Sequence, residues 1–390
     1  MPESRAARFR PLTLLSVGHA CVDVYQGAVA ALVPFFVAER AYSYAAASGV
    51  VLAASLLSSV VQPLFGVLTD RRPLPWLLPV STLAAGAGVA LAGVSGSYAV
   101  TLAVVALSGV GVAAYHPEAA RVARRASAGS HTAMGWFSLG GNLGFATAPP
   151  LVAAVAAAGG LRASPLLVLP ALAGAALCAA ALRGLRPYAP EKAAEGAGRS
   201  GIPGGRDDWP SFARLTGAVV CRSVVFVGLS AFVSLYVPGR TAGGTAAGTA
   251  ALFVLYLGGA VGTVAGGRLA SRFGRLPVVR WSYALSCPAV AGVVFVPGPA
   301  VYVFVALTSA GLYVPFSLHI TLGQDYLPRH VGTAGGVTLG LAVSAGGLAS
   351  PAIGVLADAT SLTAALSPLI ALPAVGLLLL GPLREPETPR

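Results

Sequence analysis

The chain has 390 residues, 56% of them hydrophobic and only 10% charged, with a mean hydropathy of +0.79 and a formal net charge of +12. Soluble domains carry roughly 25% charged residues, so this composition excludes a soluble globular fold and places the chain in lipid. The basic excess excludes nucleic-acid binding too, because the arginines are spread between apolar runs as loop charges and form no continuous patch.

At roughly 20 residues per crossing plus short loops, the length allows about twelve spanning helices. Apolar runs at about 12–38, 45–69, 75–95, 98–115, 131–158 and 164–183 supply the first six. The first follows Arg5, Arg8 and Arg10 but is too long for a cleaved signal sequence. A polar stretch broken by glycine and proline then covers 184–212, and further runs at about 213–237, 246–267, 276–296, 299–320, 331–357 and 363–382 complete the set. The expected fold is an all-α membrane protein of twelve transmembrane helices. Residues 1–183 form one six-helix bundle, 184–212 a cytoplasmic linker and 213–390 a second bundle.

With alternate loops on opposite sides, one set of loops and termini holds 21 basic residues and the other only Arg40, Arg162 and Arg240. This asymmetry puts both termini in the cytoplasm. The cysteines Cys21, Cys178, Cys221 and Cys287 lie inside apolar runs without paired or metal-like spacing and read as small packing residues.

The halves repeat each other weakly. Gly66-Val67-Leu68-Thr69-Asp70-Arg71 recurs 201 residues later as Gly267-Arg268-Leu269-Ala270-Ser271-Arg272, and Ser138-Leu139-Gly140-Gly141 recurs 206 later as Ser344-Ala345-Gly346-Gly347. Parallel repeats of six helices imply two bundles around a central path.

Ionisable residues at membrane depth are costly and face a cavity or a partner. His19 and Asp23, four residues apart, share a helical face to which Gln26 adds a neutral polar group. Asp23 is the first candidate proton site, against the alternative of a static ion pair. His116 and Glu118 flank Pro117 at the expected end of the fourth helix, where Glu118 is a second proton candidate with His116 beside it. The alternative is a surface pair of Glu118 with Arg121. Arg222 lies inside the seventh helix, and aligning Leu12-Thr13 with Leu215-Thr216 makes it the counterpart of His19. The two cationic groups suit an anionic substrate, while snorkelling to an interface is an equal alternative for Arg222. His131, His319 and His330 lack such a context and read as structural.

Three motifs carry a resemblance. The loop Gly66-Val67-Leu68-Thr69-Asp70-Arg71-Arg72 is similar to the signature between helices two and three of the major facilitator superfamily. There Gly66 would allow close helix approach, and Asp70, paired with an arginine or a helix end, would latch the cytoplasmic side beside Arg71 and Arg72. Gly140-Gly141-Asn142-Leu143-Gly144 with Pro149 resembles the fifth-helix motif of its drug–proton antiporters, with small residues packing backbone to backbone and Pro149 giving a bend. Tyr115-His116-Pro117-Glu118 through Arg124, together with Gln62-Pro63, Gln324 to Pro328 and Gly354 to Asp358, resembles the fosmidomycin-resistance family over nearly the whole chain. Val22 stands where that family has Asn, and Arg222 where it has Lys.

The resemblance implies the major facilitator fold and proton-coupled efflux of a small drug by antiport, with anionic phosphonates leading. Uptake of an anionic metabolite is the alternative. On this reading the proton-coupling residues are Asp23, Glu118, His19 and His116, and the substrate contacts are His19, Gln26, Arg222 and Asn142. The protein acts as a monomer in a bacterial cytoplasmic membrane, with a small-molecule substrate, protons and the bilayer as partners. No metal or cofactor is expected. A membrane-embedded enzyme or a receptor is the rival from another class. No metalloprotease, nucleophile-elbow or P-loop motif occurs, and the loops are too short for a sensory domain.

Overall fold

The computed structural model describes residues 5–127, 130–185 and 206–386, and these are helical throughout the apolar runs. The described helices are α1 (Arg5–Arg40), α2 (Tyr44–Arg71), α3 (Leu77–Ala92), α4 (Tyr98–Ala126), α5 (His131–Gly159) and α6 (Leu169–Leu185), then α7 (Trp209–Tyr236), α8 (Gly244–Phe273) and α9 (Arg275–Phe295). α10 is two segments, Val301–Tyr313 and Phe316–Tyr326. α11 passes from Val331–Gly335 through a π-helical turn, Gly336–Leu341, into Ala342–Ala359, and α12 comprises Leu362–Leu366, a 3₁₀ turn and Ala371–Leu380. Most of these are long and apolar enough to cross a membrane, the stretch Ala133–Leu185 being long enough to do so twice.

Lipid offers no partners for backbone amides, so each crossing satisfies its own as a helix. The loops finish the job with short polar caps. Ser43, Ser97, Ser130 and Ser361 accept from the amides of Ala46, Val100, Ala133 and Ala364, and Asp208 accepts from Ser211. Large apolar side chains such as Leu64, Leu172, Val261 and Leu378 are exposed, as a lipid-facing surface requires and a soluble one would not tolerate so widely.

The described residues fall into two compact units, Met1–Ala189 and Pro190–Arg390. In the first, α1 packs chiefly on α5, and α4 packs on α2 and α3; in the second, α7 packs on α11, and α10 on α8 and α9. The same partnerships recur in both units, which is how a parallel repeat appears as packing. Gly109 of α4 abuts the backbone of Ala54, and Gly346 of α11 that of Ser223. The expected linker 184–212 lies largely outside the described residues, but its last residues already belong to α7, which begins at Trp209 behind the Asp208 cap.

Two boundaries differ from the sequence reading. The fourth helix was expected to end near Tyr115, whereas α4 continues to Ala126 with Pro117 inside it. Proline removes one backbone donor, and here the buried Tyr115, Ala119, Val122 and Ala123 on either side hold the helix together by packing. The tenth run, expected unbroken, is interrupted at Val314 and Pro315.

Candidate functional site

The first unit contains a buried polar cluster where α1, α4 and α5 meet. Asp23 of α1 has its Oδ2 3.3 Å from His19 Nε2 and its Oδ1 3.2 Å from His116 Nε2 of α4. Gln26 donates from Nε2 to Asp23 Oδ1 at 3.0 Å. His19 and Asp23 are each 8% exposed, so the charges sit in a low-dielectric setting. The His19 ring stacks on Phe137 of α5 at 4.3 Å between centroids and lies 5.3 Å from the His116 ring.

The backbone fixes the tautomers. His19 Nδ1 is 3.0 Å from the Phe137 carbonyl and His116 Nδ1 is 2.8 Å from the Val112 carbonyl. A carbonyl only accepts, so both Nδ1 atoms donate, and each Nε2 is left to face the carboxylate. An unprotonated Nε2 would present a lone pair to an anion. The arrangement is therefore favourable only when protons occupy it. The same three donor atoms lie within 4.8 Å of one another, a spread that one metal ion could also span. The two contacts to the carboxylate are of ion-pair length, and His19 Nε2 makes no hydrogen bond.

The structure thus gathers His19, Asp23, His116 and Gln26 into one place and leaves Glu118 out of it. Glu118 is fully buried and takes a two-pronged pair from Arg121, whose Nε lies 2.9 Å from Oε2 and whose Nη2 meets Oε1. The Glu118–Arg121 pair offered by the sequence as the alternative is formed, but with Glu118 buried and only Arg121 partly exposed. Asn142 is half-exposed and donates to the Ser138 carbonyl of its own helix at 3.3 Å. Gly140 and Gly144 of α5 lie against the backbone carbonyls of Ser16 and Ala20, and Gly141 lies against Asp23 and the His19 ring, so a methyl group at any of the three would collide. Pro149 lies within continuous α5.

The loop motif behaves differently from expectation. Open space surrounds Gly66, so its lack of a side chain permits no close helix approach here. Asp70, Arg71 and Arg72 are exposed, and among the described residues Asp70 forms no ion pair. A charge cluster that sequence reading missed lies in the second unit. Arg275 bridges Asp325 and Glu385, and Glu385 also accepts from the Leu276 amide at the start of α9. Asp325 and Arg275 are 50 residues apart, so nothing local announces the pair.

Arg222 of α7 is buried, not snorkelled to an interface. Its Nη1 donates to the Leu312 carbonyl at 2.9 Å, and its guanidinium carbon stands 5.1 Å from the centroid of Phe316. His319, read as structural from sequence, is buried, with its ring centroid 5.8 Å from that of Tyr283. His330 does have a structural partner, with Nδ1 2.8 Å from Asp207 Oδ2. The side chain of His131 is outside the described residues.

The profile of the Major Facilitator Superfamily matches residues 15–351. The chain belongs to the major facilitator superfamily. It is 28% identical over 377 residues to the fosmidomycin resistance protein of Escherichia coli (strain K12), covering 95% of this chain and 92% of that protein. It is 27% identical over 379 residues to the uncharacterized MFS-type transporter YfnC of Bacillus subtilis (strain 168), covering 94% and 91%. Among solved structures, a bacterial homolog of the human lysosomal transporter Spinster aligns with a TM-score of 0.75 at 15% identity, covering 97% of each chain. The nucleoside transporter NupG aligns with a TM-score of 0.75 at 13% identity, covering 95% of this chain and 99% of that one. These likenesses show the twelve-helix major facilitator fold. The protein is a multi-pass membrane transporter and not an enzyme.

Proposed function

We propose that this transporter exchanges protons for a small anionic compound and exports it across a bacterial cytoplasmic membrane, with fosmidomycin-like phosphonates the leading substrate class. The observation that carries the reading is the Asp23 carboxylate held between two imidazoles whose Nδ1 atoms are committed to backbone carbonyls. That cluster gains or loses protons without rearranging its frame, as a coupling site must. His116 reaches Asp23 from a different helix, so a shift of α4 against α1 separates them and changes how well the cluster holds its proton.

Export is supported by similarity along nearly the full length of a fosmidomycin resistance protein. Gln26 and the half-exposed Asn142 are the neutral contacts for substrate, and Glu118 with Arg121 stabilises α4 beside the cluster. Asp70, unpaired in this conformation, latches with a partner formed only in another one, beside Arg71 and Arg72.

The test uses inside-out vesicles containing the wild-type chain or Asp23→Asn. An imposed pH gradient, acid inside, should drive accumulation of radiolabelled fosmidomycin by the wild type and not by the variant, which should retain substrate exchange without a gradient. Gradient-driven accumulation at the normal rate in Asp23→Asn would end the coupling assignment.

A further inference from the structure

The two units carry the same pair of nitrogen-bearing residues at one offset. His19 and His116 recur 203 residues later as Arg222 and His319, and that offset carries Asp23 onto Phe226. In the first unit the pair closes on the carboxylate of Asp23. In the second unit the place of the carboxylate is taken by an aromatic ring packed at 5.4 Å on Tyr313.

The consequence is an uncompensated cation. Arg222 is 6% exposed, and among the described residues no carboxylate forms an ion pair with it. Its Nη1 is taken by the Leu312 carbonyl, but its Nε is buried without a partner. His319 is 1% exposed, and both of its ring nitrogens are buried without a partner. The nearby Tyr283, whose ring centroid is 5.8 Å from that of His319, supplies no donor because its hydroxyl donates to the Ala218 carbonyl. A buried charge with open donors is strongly unfavourable unless a counter-ion completes it.

We infer that Arg222 and His319 form an oxyanion-binding site within the second unit, taking the phosphonate, phosphate or carboxylate group of a small solute where the first unit uses Asp23. The free edge of the Arg222 guanidinium, from Nε round to the nitrogen not bound to Leu312, offers two parallel donors to two oxygens of one group. His319 adds a third donor from whichever ring nitrogen carries the proton. The rings of Phe316, Phe226 and Tyr313 give the site an apolar flank, so it selects an anion bearing a hydrophobic or compact body and not a hydrated inorganic ion. This inference rests on the transport reading and names the site that recognises the substrate.

The experiment measures equilibrium binding of phenylphosphonate to the full chain purified in maltoside detergent, with thermal unfolding as the control for folding. Arg222→Gln should weaken binding at least tenfold, and Arg222→Lys should weaken it less. Phe226→Asp should weaken it as much as Arg222→Gln, although Arg222 and His319 are both present, because it rebuilds in the second unit the internal counter-ion of the first. Unchanged affinity in well-folded Arg222→Gln and Phe226→Asp proteins would overturn the site. So would retention of phosphatidylglycerol by the wild type with displacement of the probe by added lipid, which would make the ligand a lipid phosphate. Failure of proton-driven flux with these binding losses intact would count against the coupling reading alone.

Discussion

A carboxylate between two imidazoles is a proton store whose capacity depends on geometry. With both Nδ1 atoms donating to Phe137 and Val112, any proton that enters must lie on the inner edge of a ring or on Asp23 itself. Every such proton lies against the same carboxylate, so the three groups act together. The side chain of His116 is 24% exposed against 10% for His19, so His116 is the gateway to the cluster. Replacing it with arginine keeps a cation against Asp23 but one that does not release its proton at any accessible pH. His116→Arg is therefore expected to fold and to exchange substrate for substrate, while losing flux driven by a pH gradient. Vesicle counterflow and gradient-driven flux measured side by side check this. Gradient-driven flux in the variant at more than about half the normal rate would show that the proton bypasses His116.

The cluster exists because α1 and α5 approach without side chains between them. Gly140 and Gly144 place α5 on the carbonyls of Ser16 and Ala20, which brings Phe137 over His19 and leaves room at Gly141 for the carboxylate. Gly144→Ala forces a methyl group onto the Ala20 carbonyl and should destabilise the first unit by about 1–3 kcal/mol, the usual cost of overpacking. A thermal melt in detergent reads this as a lower Tm, and an unchanged Tm would mean that α1 and α5 separate freely. The elements themselves were plain in the sequence, because spans in lipid are continuous apolar runs. The pairing of His19 with Asp23 was also plain, being set by helical spacing alone. The arrival of His116 was not, since it depends on α4 running straight through Pro117, where local rules predict an end. His319 escaped for the same reason. Its meaning comes from Arg222 on α7, 97 residues away, and an isolated histidine in an apolar run shows nothing of that. The Gly66 motif was recognisable, yet the glycine faces open space in this conformation.

At the scale of the whole molecule, orientation decides which compartment would supply the proton under the proposed coupling. His116 lies ten residues from the end of α4 at Ala126, about 15 Å at the rise of an α-helix, and Arg121, Arg124 and Arg125 occupy that last stretch. Asp23 lies 17 residues from the opposite end of α1 at Arg40, about 25 Å by the same measure. The cluster is thus deep, with Asp23 at mid-length of α1 and His116 nearer the arginine-bearing end of α4. By the sequence count, basic residues number 21 in the loops and termini assigned to that side and three in the others, a bias from which the proposed orientation places those loops in the cytoplasm. Gly243, exposed just before α8, and Ser271, exposed near its end, lie at opposite ends of one span and report the orientation directly. In a background with Cys21, Cys178, Cys221 and Cys287 changed to alanine, a membrane-impermeant maleimide should label Gly243→Cys in intact cells. Ser271→Cys should label only after permeabilisation. The opposite pattern would put His116 nearer the periplasmic side, so that the more exposed imidazole would take protons from outside without any conformational change. The proton site would then need α4 to move in order to release them inward.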